Sequence, residues 1–161
     1  MRRQRGIVLL TGLLLSLLVG LLAASALQDA LRLARSTAQL VISAQALEQA
    51  EATLLEGRDR LLRAPPGPCA PPCAPPVEAH DVRGSSASWQ RAEQGFFLLQ
   101  NLGETTQAVH VPEGVAVRVF RVTAVSQHST ARHVLEAVYA VETGQATNVQ
   151  RLLWRQRLRE Q

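Results

Sequence analysis

An uncharged, leucine-rich run from Ile7 to Gln28 is the feature that most constrains how this chain can fold. As an α-helix its 22 residues would measure about 33 Å, roughly the thickness of a bilayer core. Arginines precede the run, at positions 2, 3 and 5, and Asp29 follows it. Because positive flanks stay in the cytoplasm, the sequence predicts a single-pass membrane protein with its amino terminus in the cytoplasm and everything after Asp29 outside it.

The net charge carries little information about partners. All 17 basic residues are arginine, and with 13 acidic residues they give a formal charge of +4. A chain cut after Gly6 would lose three arginines and keep 14 against 13 acidic residues. The remaining chain would be nearly neutral, which weakens an interpretation as a nucleic-acid-binding or lipid-surface protein.

Three fates are open for the apolar run. The first is cleavage as a secretory signal at Ala24-Ser25-Ala26, although the run is longer than the usual signal core. The second is retention as an uncleaved signal anchor, which its length permits. The third fate, cleavage in front of the apolar run, follows from a resemblance.

The segment QRGIVLLTGLLLSLLVGLLAAS resembles the amino end of a type IV prepilin. ALEQAEATL (46–54), FRVTAVSQHSTARHVLEAVYA (120–140) and VQRLLWR (149–155) resemble parts of the PilX-type minor pilins. The resemblance implies cleavage after Gly6 by the prepilin peptidase, methylation of Ile7 as the new amino terminus, and packing against other pilins and minor pilins. It also implies an α+β pilin fold, in which a long amino-terminal helix packs on a small antiparallel sheet.

Two residues depart from the pattern of major pilins. Ile7 replaces the usual phenylalanine, and Thr11 replaces a glutamate that is thought to pair with the new amino group of a neighbouring subunit. PilX-type pilins and the K-type minor pseudopilins of type II secretion commonly lack this glutamate as well. The resemblance therefore implies a minor subunit that initiates the fibre or occupies its tip.

Within the apolar run, small residues recur every four positions, which places them along one helical face that another helix can approach closely. These are Gly12, Ser16, Gly20 and Ala24.

After the apolar run the sequence becomes amphipathic. The helix is predicted to continue through residues 29–63, so that one element extends from 7 to about 63. Leucines recur every seven residues in this part. The stripe that they form is interpreted either as the face of the helix that packs on a sheet or as the seam of a coiled coil. These are Leu33, Leu40, Leu47, Leu54 and Leu61.

A proline-rich region is predicted to form a surface loop over residues 64–94. Seven of the eight prolines lie between Pro65 and Pro76, so the helix must end before them. The two cysteines, Cys69 and Cys73, are predicted to form a disulfide in an oxidising compartment. Polyproline conformation would hold them about 12 Å apart, so the residues between them must turn.

The remainder, 95–161, reads as an antiparallel β head. Strand-like runs are FFLLQ, QAVHV, VAVRVFRVTAV, RHVLEAVYAV and VQRLLWRQRL. Turn signals at Asn101-Leu102-Gly103, Pro112-Glu113-Gly114 and Glu142-Thr143-Gly144 separate them. The carboxyl-terminal run is ambiguous, because its arginines are also spaced like one face of a helix.

No catalytic, cofactor or metal motif is present, and we expect a non-enzymatic protein without a small-molecule substrate. The four histidines, His80, His110, His128 and His133, lack the spacing of metal ligands. Arginines at the carboxyl terminus, Arg151, Arg155, Arg157 and Arg159, would suit DNA phosphates, but a solvated strand face explains them equally.

These observations lead to the expectation of a type IV pilus minor pilin. It would be held in the inner membrane before assembly and then located at the pilus or cell surface. Alternatives are a minor pseudopilin of type II secretion and an uncleaved single-pass membrane protein with a periplasmic interaction domain. The sequence leaves open whether the fibre serves adhesion, motility or DNA uptake.

Overall fold

The computed structural model describes residues 3–69, 72–77, 79–82, 84–128 and 131–158, without the side chains of residues 3–8 and 145–148. One helix is followed by a sheet of five strands. The elements are α1 (Arg3–Arg63), β1 (Gln90–Arg91), β2 (Gly95–Thr105), β3 (Val117–Ser126), β4 (Val134–Glu142) and β5 (Gln145–Arg157). The expected α+β layout, a long apolar helix with an antiparallel sheet, is confirmed.

Helix α1 contributes to two compact units, Met1–Val41 and Ile42–Gln161. No proline interrupts the helix, and it ends at Arg63, two residues before Pro65, which cannot donate a helical hydrogen bond. The N–H of Ala64 still donates to the carbonyl of Arg60 at 2.9 Å, which closes the last turn. Arg60 and Arg63 lie in that turn, where positive charge is favourable.

The sheet is a simple antiparallel meander with the order β1-β2-β3-β4-β5. Strands β2 and β3 pair from Gly95 opposite Ser126 to Thr105 opposite Val117. The turn between β4 and β5 is short, and Gly144 there has a φ of 100°, a conformation that glycine adopts without strain.

The core lies between the last five turns of α1 and one face of the sheet. Leu54 is 4% exposed and Leu61 is 2% exposed, so each contributes roughly 2 kcal/mol of hydrophobic stabilisation. A Cβ atom on Gly57 would lie 2.7 Å from Cγ1 of Val122, so glycine allows this close approach of helix and sheet. The buried cluster comprises Ala50, Leu54, Leu61, Phe120, Val122, Ala124, Leu135, Ala137 and Tyr139.

The heptad leucines have two different surroundings. Leu54 and Leu61 are buried and Leu47 packs against the same core, which confirms packing on the sheet for these three. Leu33 and Leu40 are 69% and 70% exposed. The stripe is therefore part of the core only in the second unit.

A loop covers the opposite face of the sheet. Ala79 packs there with Val125 and Val134, and Val82 and Trp89 flank this smaller cluster. Burial on both faces explains why β3 reads as a nearly continuous apolar run between Val122 and Val125 rather than as an alternating one.

Three strand assignments differ from the sequence expectation. The first is β1 (Gln90–Arg91), which lies within the predicted loop region 64–94. The QAVHV run is not a strand; it belongs to the connection between β2 and β3, where His110 has a φ of 64° that ends any extended conformation. Asn101-Leu102-Gly103 is not a turn but a register shift inside β2. Gly103, with a φ of 105°, forms the bulge that lets the strand continue. The ambiguous carboxyl-terminal run is a strand, β5.

Candidate functional site

The first candidate site is the exposed part of α1, which we call the stem and define as residues 9–41. Every side chain described in this range is exposed, including Leu9 at 71% and Leu22 at 68%. Its most apolar stretch has a mean hydropathy of 2.3, and by length and composition the helix could cross a membrane. An apolar surface of this extent marks a region that is covered by lipid or by protein.

The small residues of the stem form an open surface. No atom lies within 4 Å of a Cβ placed on Gly12 or on Gly20, and Ala24 is exposed. Ser16 donates its hydroxyl to the carbonyl of Gly12 at 2.9 Å, so its polar group is satisfied within the helix. This side of the stem can therefore receive another helix without unpaired polar groups. Gly6 and Ile7 lie on α1, and their side-chain surroundings fall outside the described part.

The second candidate site is the proline-rich segment, residues 64–82, which we call the strap. Cys69 and Cys73 form the predicted disulfide, with Cα atoms 5.7 Å apart. Ala70 and Pro71, which were expected to turn between the two cysteines, lie outside the described residues. The N–H of Cys69 donates to the carbonyl of Asn101 at 3.2 Å, and Pro68 forms a bridge with the same residue. The strap is thus attached to the edge of β2.

Side chains of the sheet hold the strap by its carbonyl groups. Proline lacks an N–H, so this segment cannot pair as an ordinary strand and its carbonyls need other donors. Arg121 donates to the carbonyl of Cys73 at 3.2 Å, and Arg157 donates to that of Pro76 at 2.7 Å. The remaining bonds run from Gln100 to Ala74, from Asn101 to Pro66, and from Arg132 to His80.

A buried ion cluster lies on the outer face of the sheet. Glu136 is 1% exposed, and its Oε1 receives Nη2 and Nε of Arg155 at 2.7 and 3.0 Å. Nε of Arg121 lies 3.7 Å from the same oxygen. Two guanidinium groups therefore balance this carboxylate. Only the carboxylate is fully buried, since the Arg155 side chain is 50% exposed and that of Arg121 is 14% exposed. The arginines compensate the buried charge of Glu136, so the cluster serves the architecture of the head.

The carboxyl-terminal arginines that would suit DNA do not form one free basic face. Arg155 is paired with Glu136, and Arg157 donates to the strap. Arg151 is exposed, and Arg159 lies outside the described residues. Half of the predicted set is thus engaged within the head.

The histidines are dispersed. The side chain of His133 connects α1 to β5, with Nε2 3.0 Å from the Ser43 hydroxyl and Nδ1 2.7 Å from the side-chain amide nitrogen of Gln156. No group of three or more His, Cys, Asp or Glu side chains in the described part could hold a metal ion.

A cavity of about 370 Å³ lies at the end of the head where α1 finishes. Leu61, Phe120 and Val141 form apolar parts of its wall, and Arg118 and Glu142 are among its polar residues. Arg118 is also paired with Glu104 at 2.6 Å. Among the described residues, the lining thus combines apolar side chains with Arg118, whose carboxylate partner Glu104 lies outside the cavity.

Sequence reasoning missed the ion cluster and the attachment of the strap. The signal was present, because Arg121 and Glu136 each interrupt an apolar strand, and charged residues inside such strands are usually paired. The strap bonds carried no signal, because their acceptors are backbone carbonyls.

Comparison of the chain with protein-family models, curated proteins and solved structures finds no match. Function is therefore inferred from the residues and their geometry.

Proposed function

We propose that this protein is a minor pilin of a type IV pilus system, similar to the PilX type. It is held in the inner membrane by the stem and then packs through the stem into the pilus or at its tip. The uniform exposure of the stem, with its row of small residues, is the observation that carries this proposal. The sequence resemblance at both ends of the chain agrees with it.

The mechanism is an exchange of surroundings. Before assembly the stem lies in lipid; afterwards the helices of neighbouring pilins replace that lipid. Lipid tails are as apolar as leucine, so helix association in a bilayer depends on close packing rather than on the hydrophobic effect. Gly12 and Gly20 present backbone without side chains and allow that close packing.

Thr11 favours a minor subunit over a major pilin of the shaft. A threonine cannot neutralise the amino group of a neighbouring subunit as a glutamate does, so ordinary placement within the shaft lacks this ion pair. A subunit that starts or caps the fibre has fewer neighbours to satisfy. Initiation or a tip location is therefore the role that we assign.

In this proposal the head binds neighbouring proteins and does not catalyse a reaction. Its proline-rich strap is fixed by a disulfide and by arginine hydrogen bonds. Such a cross-linked surface keeps its shape outside the cell, where disulfides persist. A minor pseudopilin of type II secretion would use the same stem and head, and the neighbouring genes distinguish the two systems.

One observation favours the second candidate function, an uncleaved single-pass membrane protein. Helix α1 begins at Arg3 and continues through Gly6 without a break. An anchor that is never cut would keep this whole helix, and its periplasmic head would connect partner proteins.

Mass spectrometry of the mature amino terminus tests these alternatives. We expect a chain that begins at methylated Ile7, and we expect Gly6→Ala to accumulate the uncut precursor. Gly20→Ala, a glycine substitution elsewhere in the stem, is the matched control and should be cut normally. A chain that begins at Met1 would establish the anchor, and one that begins at Leu27 would establish plain secretion; either result overturns the pilin proposal.

A further inference from the structure

The two edges of the sheet differ in how they are protected. At one edge, β1 pairs with Phe96 and Phe97, and the strap covers Asn101. At the other edge, β5 pairs with β4, and none of the described residues outside β4 forms a backbone–backbone hydrogen bond with it. A long open edge is a template for another strand, and proteins normally shield it. The outer edge of β5 is thus a potential docking site.

Exposed apolar side chains accompany this edge. Leu153 and Trp154 are 45% and 43% exposed, and Leu158, just beyond the strand, is 81% exposed. Leu153 pairs with Val138 and Trp154 with Ala137, so the two side chains point to opposite faces of the sheet. An added strand would place side chains beside both of them, and aromatic residues strengthen such cross-strand pairs.

The positive charge of β5 favours an acidic added strand. Residues 145–157 contain three arginines and no acidic residue. Arg155 is balanced by Glu136, whereas no carboxylate of the described residues lies within 4 Å of the cationic nitrogens of Arg151 or Arg157. Arg151 is exposed and pairs with Tyr139, so it lies on the same face of β5 as Trp154.

We infer that the outer edge of β5, from Val149 to Arg157, accepts an extended acidic segment of a partner protein as a sixth strand. Backbone hydrogen bonds supply the affinity, as in other cases of strand addition. A carboxylate beside Arg151 and an apolar residue beside Trp154 supply the specificity. A second copy of this chain is a poor occupant, because its β5 would place arginines opposite arginines. The inference concerns the head and does not depend on the proposed function of the stem.

The test uses the full chain in detergent micelles and a fluorescent ten-residue peptide in which glutamate alternates with valine. We expect binding that slows hydrogen exchange of backbone amides between Val149 and Arg157. A peptide with lysine in place of glutamate should bind at least about tenfold more weakly, because like charges then face each other. N-methylation of every peptide bond should abolish binding, because the added strand loses its donors.

Protein variants sharpen the test. Arg151→Glu should weaken binding of the glutamate peptide by roughly tenfold, whereas Arg91→Glu, an exposed arginine on β1, should leave it unchanged. The inference is wrong if the glutamate peptide fails to bind at about 1 mM, if the N-methylated peptide binds equally well, or if the amides of β5 gain no protection. Dimerisation of the chain through β5 would also overturn it, because the occupant would then be a second copy.

Discussion

The two parts of helix α1 share a sequence pattern and differ in their surroundings. Leucine recurs every seven residues on both sides of Val41. Before that point Leu33 and Leu40 are exposed, and after it Leu54 and Leu61 are buried. Leucines with the same spacing therefore lie on the surface in one unit and in the core in the other.

Burial along α1 depends on whether charged residues occupy part of the helix surface. Between residues 42 and 63, one face packs on the sheet while charged residues such as Glu48 and Glu51 occupy the rest. Between residues 9 and 27, apolar residues surround the whole helix and no charge marks a solvent side. A helix that is apolar all round needs a solvent other than water, or many helical neighbours.

Leucine truncation should give the largest contrast between the two parts. Leu61→Ala removes a side chain that is 2% exposed, so the free energy of unfolding of the head should fall by about 2–5 kcal/mol. Leu40→Ala removes one that is 70% exposed and should change it by less than about 0.5 kcal/mol. Denaturant titration in detergent, followed by tryptophan fluorescence, measures both. Equal losses in the two variants would contradict the assignment of the core.

Glycine substitution should act on different properties in the two parts. Gly57→Val places a side chain against Val122 and Phe97 and should lower the stability of the head by roughly 1–3 kcal/mol. A Cβ atom on Gly20 meets no atom within 4 Å, so Gly20→Val should leave that stability unchanged. It should instead reduce incorporation into fibres, because the added side chain keeps neighbouring helices apart. Normal fibre incorporation of Gly20→Val would argue against packing on this face.

The smallest expected effect is on the pH dependence of stability, through Tyr139. This residue of β4 is buried in the same core as Leu54 and Leu61 of α1. Burial raises the pKa of its phenol above the ordinary 10.0, while Arg151 and Arg58 oppose that shift. The unfolded chain then loses its proton first as pH rises, so the stabilising contribution is complete below about pH 10 and is lost above it. Tyr139→Phe should remove this part of the alkaline decrease in stability. Parallel denaturant titrations of both proteins at increasing pH measure the difference, and identical curves would contradict the burial of the phenol.

Much of the fold could be predicted from local signals. The helix boundary near Arg63 follows from Pro65 and Pro66, and β3 and β4 follow from their apolar, β-branched runs. The disulfide could be predicted because the chain has two cysteines and an apolar amino-terminal run, from which we expected an oxidising compartment.

The rest depends on contacts between distant segments. Gly103 reads as a turn residue, yet pairing with β3 turns it into a bulge. Leu40 and Leu54 belong to the same seven-residue repeat, so periodicity does not predict that one is exposed and the other buried. Their burial depends on where along α1 the sheet begins to pack. The attachment of the strap required the positions of Arg121 and Arg157, which sequence spacing does not provide.

Site-specific photocross-linking in assembled fibres or intact membranes tests whether neighbouring subunits cover the stem. A photoreactive amino acid at the exposed Leu33 position should cross-link to another pilin, whereas the same amino acid at the buried Leu54 position should not. Because the claim is that neighbouring subunits cover the stem, cross-links at position 33 are the predicted result. No cross-link at position 33, together with mature protein that lacks residues 7–26, would contradict it.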